Sequence, residues 1–309
     1  MLRINPPNVV PPESLPNDPR VGQLLGTRLG PKEAPHAVIL GFPSDDGVRR
    51  NGGRVGAAGG PSAIRPALYR LAADPRLAQF EDFLGRTRDL GDVEISRNLE
   101  IDQQHLGEAL AGLFQAGIFV IVLGGGHETS YGHFLGYALA GRPVEILNWD
   151  AHADVGELKD GLGHSDSPFR QAIEDRSGAC RRYSVAGLEP QAVSRSHLDF
   201  VRQHGRAVWR EEVSGDTLAS LYAGVQSPTF ASFDLDAVNQ AEAPGVSAPN
   251  PAGLRSERWL QAAYRAGQTP AVTSADVVEL NPRFDHDGET ARLAALTVWW
   301  ILRGRAERQ

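Results

Sequence analysis

Apolar runs of six to ten residues recur along the chain, separated by stretches of helical period, and this alternation restricts the fold more than any other feature. The runs are AVILGF (37–42), IFVIVL (118–123), VEILNW (144–149), RYSVAG (182–187), TFASFDL (229–235) and AVTSADVVEL (271–280). Each is short enough, and apolar enough, for a strand buried on both faces. Between them, PSAIRPALYRLAA (61–73), DQQHLGEALAGLFQAG (102–117), TSYGHFLGYALAG (129–141), LRSERWLQAAYRAG (254–267) and GETARLAALTVWWILRG (288–304) place apolar residues at helical spacing. Pro61 suits a first helical turn, whereas Pro66 is expected to strain or shorten its helix. The order predicts an α/β fold, with a parallel sheet covered on both faces by helices. Residues 1–35, rich in proline and polar residues, are expected to form an irregular arm. No repeat or linker interrupts 36–309, which is expected to be a single domain.

Composition narrows the function. The net charge is −7, and the densest basic cluster, RRNGGR at 49–54, is too short to track a nucleic acid. No apolar run reaches the length of a membrane span, so no membrane partner is expected. The single cysteine, Cys180, excludes an internal disulfide, which fits a reducing, cytoplasmic setting. Cys180 is read as a packed or idle thiol, His133 as a helix-packing residue that stands close enough to the site to line a pocket, and Trp299 and Trp300 as core or subunit-contact residues.

Three polar clusters stand where apolar runs end: GGGHE (124–128), DAHAD (150–154) and DLD (234–236). In an open parallel sheet, the carboxyl ends of the strands are where ligands gather. If DAHAD is extended, Asp150, His152 and Asp154 share one face. Asp234 and Asp236 repeat that spacing, and His127 follows three glycines that allow close backbone approach. Each cluster alone fits a helix cap or a core histidine. Together they supply four carboxylates and two imidazoles, too many for one small cation. Two divalent ions, spaced by roughly 3.5–4 Å, would use all six and balance the four negative charges. Oxygen-rich ligation favours Mn²⁺ over structural zinc. A water between two such ions ionises near neutral pH and becomes a nucleophile.

The motifs GGGHE, NWDAHAD, SFDLDAVNQAEAPGVSAPNPAGL (232–254) and SADVVELNP (274–282) resemble those of the ureohydrolases, the arginase, agmatinase and formimidoylglutamase family. The resemblance runs from about residue 37 to about 303. It implies an arginase-like three-layer αβα fold, a mostly parallel eight-stranded sheet, two Mn²⁺ per subunit and a homo-oligomer. It makes His127, Asp150, His152, Asp154, Asp234 and Asp236 the metal ligands. It also makes Glu279 the carboxylate that pairs with a guanidinium or amidinium, a role that suits a planar cation. Catalysis is expected to depend on Asp150 and Glu279. Gly126, GVRRNGGRVGAAGGPSAIR (47–65) and HSDSPFRQ (164–171) resemble the formimidoylglutamase branch. The implied reaction is hydrolysis of N-formimidoyl-L-glutamate to L-glutamate and formamide, as in histidine breakdown, by a metal-bridging hydroxide. Arg49, Arg50 and Arg54 are candidates for the substrate carboxylates.

Two positions depart from that branch. Gly156 stands where D-A-H-x-D-x-R ends in arginine, and Asp166 replaces the glycine of S-G-T-P-F. Both changes make the pocket less basic and keep open a guanidino substrate such as agmatine, with release of urea. Ser165 occupies the histidine position of the H-G-x-P motif, and His164 lies one place earlier, so both are candidate substrate contacts and the proton shuttle is unassigned. A non-catalytic metal-binding regulator and a dinuclear phosphoesterase are the other classes. The full set of ligands weighs against the first, and Glu279 beside a phosphate weighs against the second.

Overall fold

The computed structural model describes residues 3–13, 17–226 and 228–308. One sheet runs through the molecule. Its strands are β1 (Ile4–Asn5), β2 (Ala37–Phe42), β3 (Thr87–Val93), β4 (Phe119–Gly124), β5 (Val144–Trp149), β6 (Cys180–Leu188), β7 (Gly205–Trp209), β8 (Thr229–Asp234) and β9 (Val272–Val278). They lie in the order β1-β3-β2-β4-β9-β8-β5-β6-β7. Eight are parallel, and β1 pairs antiparallel to β3 through Ile4–Val93 and Asn5–Asp92. Among the described residues the sheet therefore has nine strands rather than eight. The ninth comes from the segment read as an irregular arm, which also buries Val21 against the core.

Alternate side chains of the interior strands enter two apolar cores. Ile39, Ile121, Leu147, Phe233 and Val277 face one, and Val38, Val120, Ile146, Phe230 and Val185 face the other. Helices Gly60–Tyr69, Ser256–Gln268 and Glu289–Ala306 cover the first face. Leu99–Gln115 and Thr129–Leu139 cover the second. The helix Gly60–Tyr69 keeps Pro66 inside and stops short of the expected residue 73. Trp299 anchors this layer by donating from Nε1 to Ala72 O at 2.8 Å, and it meets Phe80 edge-on.

Besides β1, the apolar pattern missed β3 and β7, which carry charged or half-exposed residues near the sheet's edges. In place of an apolar run, β3 is held by Arg65, whose side chain is 1% exposed. Its Nε donates to Asp89 Oδ2 at 2.8 Å, its NH1 to Asp92 Oδ1 at 2.7 Å, and its NH2 to Gly91 O at 2.9 Å. Gly91, at φ +93°, allows Asn5 O to come so close that a Cβ would lie 1.8 Å from it. Removing one partner of a buried ion pair costs about 3–5 kcal/mol, because the other charge is left without compensation. Arg65→Met is expected to lose about that much stability in urea unfolding; a loss below about 1 kcal/mol would show that the Asp89–Arg65–Asp92 contact does not hold β3.

Candidate metal centre

Four neighbouring strands in the middle of the sheet, β4, β9, β8 and β5, deliver their carboxyl ends to one place. From β4, the glycine loop packs so tightly that a Cβ on Gly125 would lie 1.9 Å from Ser44 O. This close approach sets His127 at the start of the helix Thr129–Leu139. From β8, Asp234 ends the strand and accepts from Asp236 N at 2.8 Å, which turns Asp236 in beside it. From β9, Glu279 leaves the sheet at φ +66° and accepts from His127 N at 2.9 Å.

DAHAD is not extended, as the spacing suggested. The chain bends at Ala151–His152, where Asp150 Oδ1 accepts from His152 N at 2.7 Å, and Asp154 takes φ +46°. A left-handed conformation is uncommon for residues other than glycine and is typical of sites where surrounding structure enforces it.

The six side chains nevertheless meet. His127 Nδ1 lies 3.3 Å from Asp150 Oδ2, 2.8 Å from Asp154 Oδ2 and 2.9 Å from Asp234 Oδ2. His152 Nδ1 lies 3.4 Å from Asp150 Oδ1 and 3.2 Å from Asp236 Oδ2. Two groups of ligand atoms result, His127–Asp150–Asp154–Asp234 and Asp150–His152–Asp236, with Asp150 in both.

Electrostatics favours a cation in each group. Burial, reinforced by Asp150, pushes the Asp154 carboxyl well above its usual range; burial, Asp236 and Asp150 do the same to Asp234. Asp236 is also raised by burial, against the pull of His152. Hydrogen-bond logic agrees. The buried Asp276 carboxylate can only accept, and Ser232 Oγ lies 2.5 Å from its Oδ1. The Ser232 proton is committed there, so Ser232 accepts from His127 Nε2–H at 2.9 Å. His127 Nδ1 then faces three carboxylates at 2.8–3.3 Å, which raise the imidazole well above its ordinary value against its burial, so a positive charge is called for at Nδ1, from a proton or from a metal ion. With Nδ1 deprotonated, four acceptors would be aimed at one another, an arrangement that a divalent cation between them satisfies.

Ser130 and His133 hold Asp276 from its other side, donating to Oδ2 at 3.0 and 2.8 Å, while His133 Nε2 meets Ser274 Oγ at 2.7 Å. His133 is thus a packing and hydrogen-bonding residue behind the site. The motifs alone single out neither Ser232 nor Asp276. Ser232 precedes Asp234 by two residues on one strand face, which is the signal that could have found it. Nor do the motifs single out Glu128. It is fully buried, accepts from Gly47 N at 2.8 Å, and is pushed up to about 8 by burial and by Glu279. Cys180 lines no part of the site, and burial raises its thiol to about 12.

A cavity of about 400 Å³ opens onto the cluster. His152, Asp154, Asp234, Asp236 and Glu279 form its floor, and Asn51, Ser165, Asp166, Ser194, His197 and Ser247 are among its wall residues. Glu279 Oε2 is buried without a partner, and its carboxyl is pushed up to about 7 by burial and by Asp236.

The three arginines expected at this wall do not line it. Arg49 is 63% exposed and pairs with Asp46 at 2.7 Å. Arg50 pairs with Glu100 at 2.6 Å and donates to Gly163 O at 2.9 Å. Arg54 donates to Ser247 O at 3.0 Å and to Val246 O, and lies over the Phe284 ring. Each has found a local acceptor, which turns it from the cavity. His164 is also fixed elsewhere. Its ring donates from Nε2 to Glu157 O at 2.8 Å and accepts at Nδ1 from Asp166 N at 3.3 Å, so it does not swing into the cavity. Ser165 does line the cavity.

Because Asp276 fixes the His127 proton through Ser232, Asp276→Asn is expected to weaken divalent-metal binding about 10- to 100-fold, the usual cost of losing such a supporting contact. Isothermal titration with Mn²⁺ reads this directly, and unchanged affinity would show that the tautomer is set some other way.

Comparison with known proteins places this geometry in a wider group. The profile of the arginase family matches residues 35–303. A formimidoylglutamase of Chromobacterium violaceum is 37% identical over 283 residues, covering 87% of this chain and 88% of that protein. One of Rhodococcus jostii is also 37% identical, covering 87% and 85%. A crystal structure of Trypanosoma cruzi formiminoglutamase with Mn²⁺ superposes with a TM-score of 0.87 at 32% identity, over 95% of this chain and all of that one. By its sequence and by its fold, the chain belongs to the arginase family.

Proposed function

We propose that the protein hydrolyses N-formimidoyl-L-glutamate to L-glutamate and formamide at a centre of two Mn²⁺ ions. The observation that carries this reading is the pair of ligand groups sharing Asp150, with the free carboxylate oxygen of Glu279 beside them. The similarity to formimidoylglutamases from several bacteria supports the choice of substrate. The Trypanosoma cruzi enzyme, described with Mn²⁺, supports the choice of ion.

His127, Asp150, Asp154 and Asp234 would hold one ion, and Asp150, His152 and Asp236 the other. The bound pair supplies Lewis acidity and a water that ionises near neutral pH. The chain's own groups do the rest. Glu279 Oε2 accepts an N–H of the amidinium, which fixes the plane of the carbon under attack and stabilises positive charge next to it. Its other oxygen is tied to His127 N, so the substrate-binding carboxylate and the metal-binding histidine are positioned together. Burial of the floor excludes competing water and strengthens each of these contacts. The Ser165 hydroxyl offers a hydrogen bond to the substrate at the wall.

A second reading, hydrolysis of agmatine or another guanidino compound with release of urea, draws on Asp166 in a cavity wall without arginine. The two readings separate by product. With Mn²⁺ and equal concentrations of formimidoylglutamate, arginine, agmatine and guanidinobutyrate, formamide from the first is expected, with no urea from the others. Urea as the main product would select the second reading. Asp150→Asn is expected to abolish turnover on every substrate while the circular dichroism spectrum stays native.

A further inference from the structure

The floor of the cavity accounts for the amidine but not for the rest of the substrate. Apart from the metal cluster and Glu279, only two of the cavity-lining residues among those described are charged or titratable: Asp166 and His197. Neither the Asp166 carboxylate nor the His197 ring has a hydrogen-bond or ion-pair partner among the described residues. Both are nonetheless fixed by their backbones. Asp166 O accepts from Gly156 N at 2.6 Å, and Asp166 N donates to His164. His197 N donates to Ser194 Oγ at 3.2 Å, in the first turn of the helix Arg195–His204.

We propose that Asp166 and His197 read the leaving amine, Asp166 accepting the N–H of the nitrogen that departs and His197 taking the carboxylate on the adjacent carbon. This rests on the formimidoylglutamate reading, in which that nitrogen and that carboxylate share one carbon. The chemistry of the wall matches such a neighbouring donor and anion. An ionised Asp166 carboxylate can only accept, as an N–H donor requires; burial raises this carboxyl above its ordinary value, and the imidazoles of His197, His164 and His152 offset part of that rise. His197 stands at a helix N-terminus beside the Ser194 hydroxyl, where backbone dipoles favour an anion. The arrangement also explains Gly156. A Cβ there would lie 2.5 Å from Asp166 Oδ2, so Asp166 occupies the space that a side chain at 156 would need. A carboxylate reader built on arginine at 156 and one built on Asp166 with His197 are mutually exclusive.

The test compares N-formimidoyl-L-glutamate with N-formimidoyl-4-aminobutyrate, which keeps the amidine, the N–H and the distal carboxylate but lacks the carboxylate next to nitrogen. His197→Gln is expected to raise KM for the first about 10- to 100-fold and to leave KM for the second within about twofold. Asp166→Ala is expected to lower kcat/KM for both by about 10- to 100-fold, since both present the N–H. Gly156→Ala, whose Cβ would lie 2.5 Å from Asp166 Oδ2 and 2.8 Å from Asp166 O, is expected to shift Asp166 as a whole and to lower kcat/KM for both compounds at least as much. Equal effects of His197→Gln on both compounds, or none on either, would overturn the role of His197. Unchanged kinetics in Asp166→Ala and Gly156→Ala would overturn that of Asp166. If the unmodified protein releases formamide from neither compound, the activity itself is misassigned and the inference falls with it.

Discussion

The structure is organised around a concentration of buried negative charge. Asp150, Asp154, Asp234 and Asp236 are each 6% exposed or less, and they converge on two imidazoles at the carboxyl end of the sheet. Charges removed from water and placed side by side are costly without counter-charge. The fold meets that cost by geometry that only makes sense around cations. Three of the four central strands supply the ligands and the fourth, β9, supplies Glu279; Asp154 and Glu279 are held in left-handed backbone conformations. The Asp276 carboxylate, supported by Ser130 and His133, orients His127 from behind. Strain and buried polarity gather where function requires them, while the surrounding interior strands are regular and apolar.

The two ends of the cavity are built differently. The floor comes from strand ends backed by the apolar cores, so its atoms are placed by the most rigid part of the molecule. The outer wall comes from segments that connect these strands, including residues 51–53, 165–166, 192–197 and 247–248. Connecting segments can change their side chains without disturbing the sheet. The two ends of the cavity are thus free to vary independently, the floor being tied to the sheet and the outer wall to the loops.

The central strands and the six clustered residues were legible from the chain, because burial on both faces leaves a continuous apolar run and the polar clusters interrupt it at the strand ends. Three strands were not. β1, β3 and β7 lie toward the sheet's edges, and β3 depends on the Arg65 ion pairs, a tertiary contact that leaves no periodic trace. The bend in DAHAD was hidden for a related reason. Alternating spacing points to an extended strand, but the hydrogen bond from His152 N to Asp150 ends it at once. Long side chains were the hardest to place. Arg49, Arg50 and Arg54 stand near the cavity in sequence, yet Arg50 and Arg54 are satisfied by acceptors that only folding brings within reach, and Arg49 by Asp46 one turn away on its own helix. His164 is withdrawn by Glu157 O in the same way.

The number of divalent cations bound per chain tests the central claim most directly. Protein stripped with chelator, loaded with Mn²⁺ and passed through a desalting column should retain two ions per chain by elemental analysis. Its melting temperature should rise with free Mn²⁺, as binding to the native state alone requires. Retention of no ion, with a melting temperature indifferent to Mn²⁺ and to other divalent cations, would contradict the account.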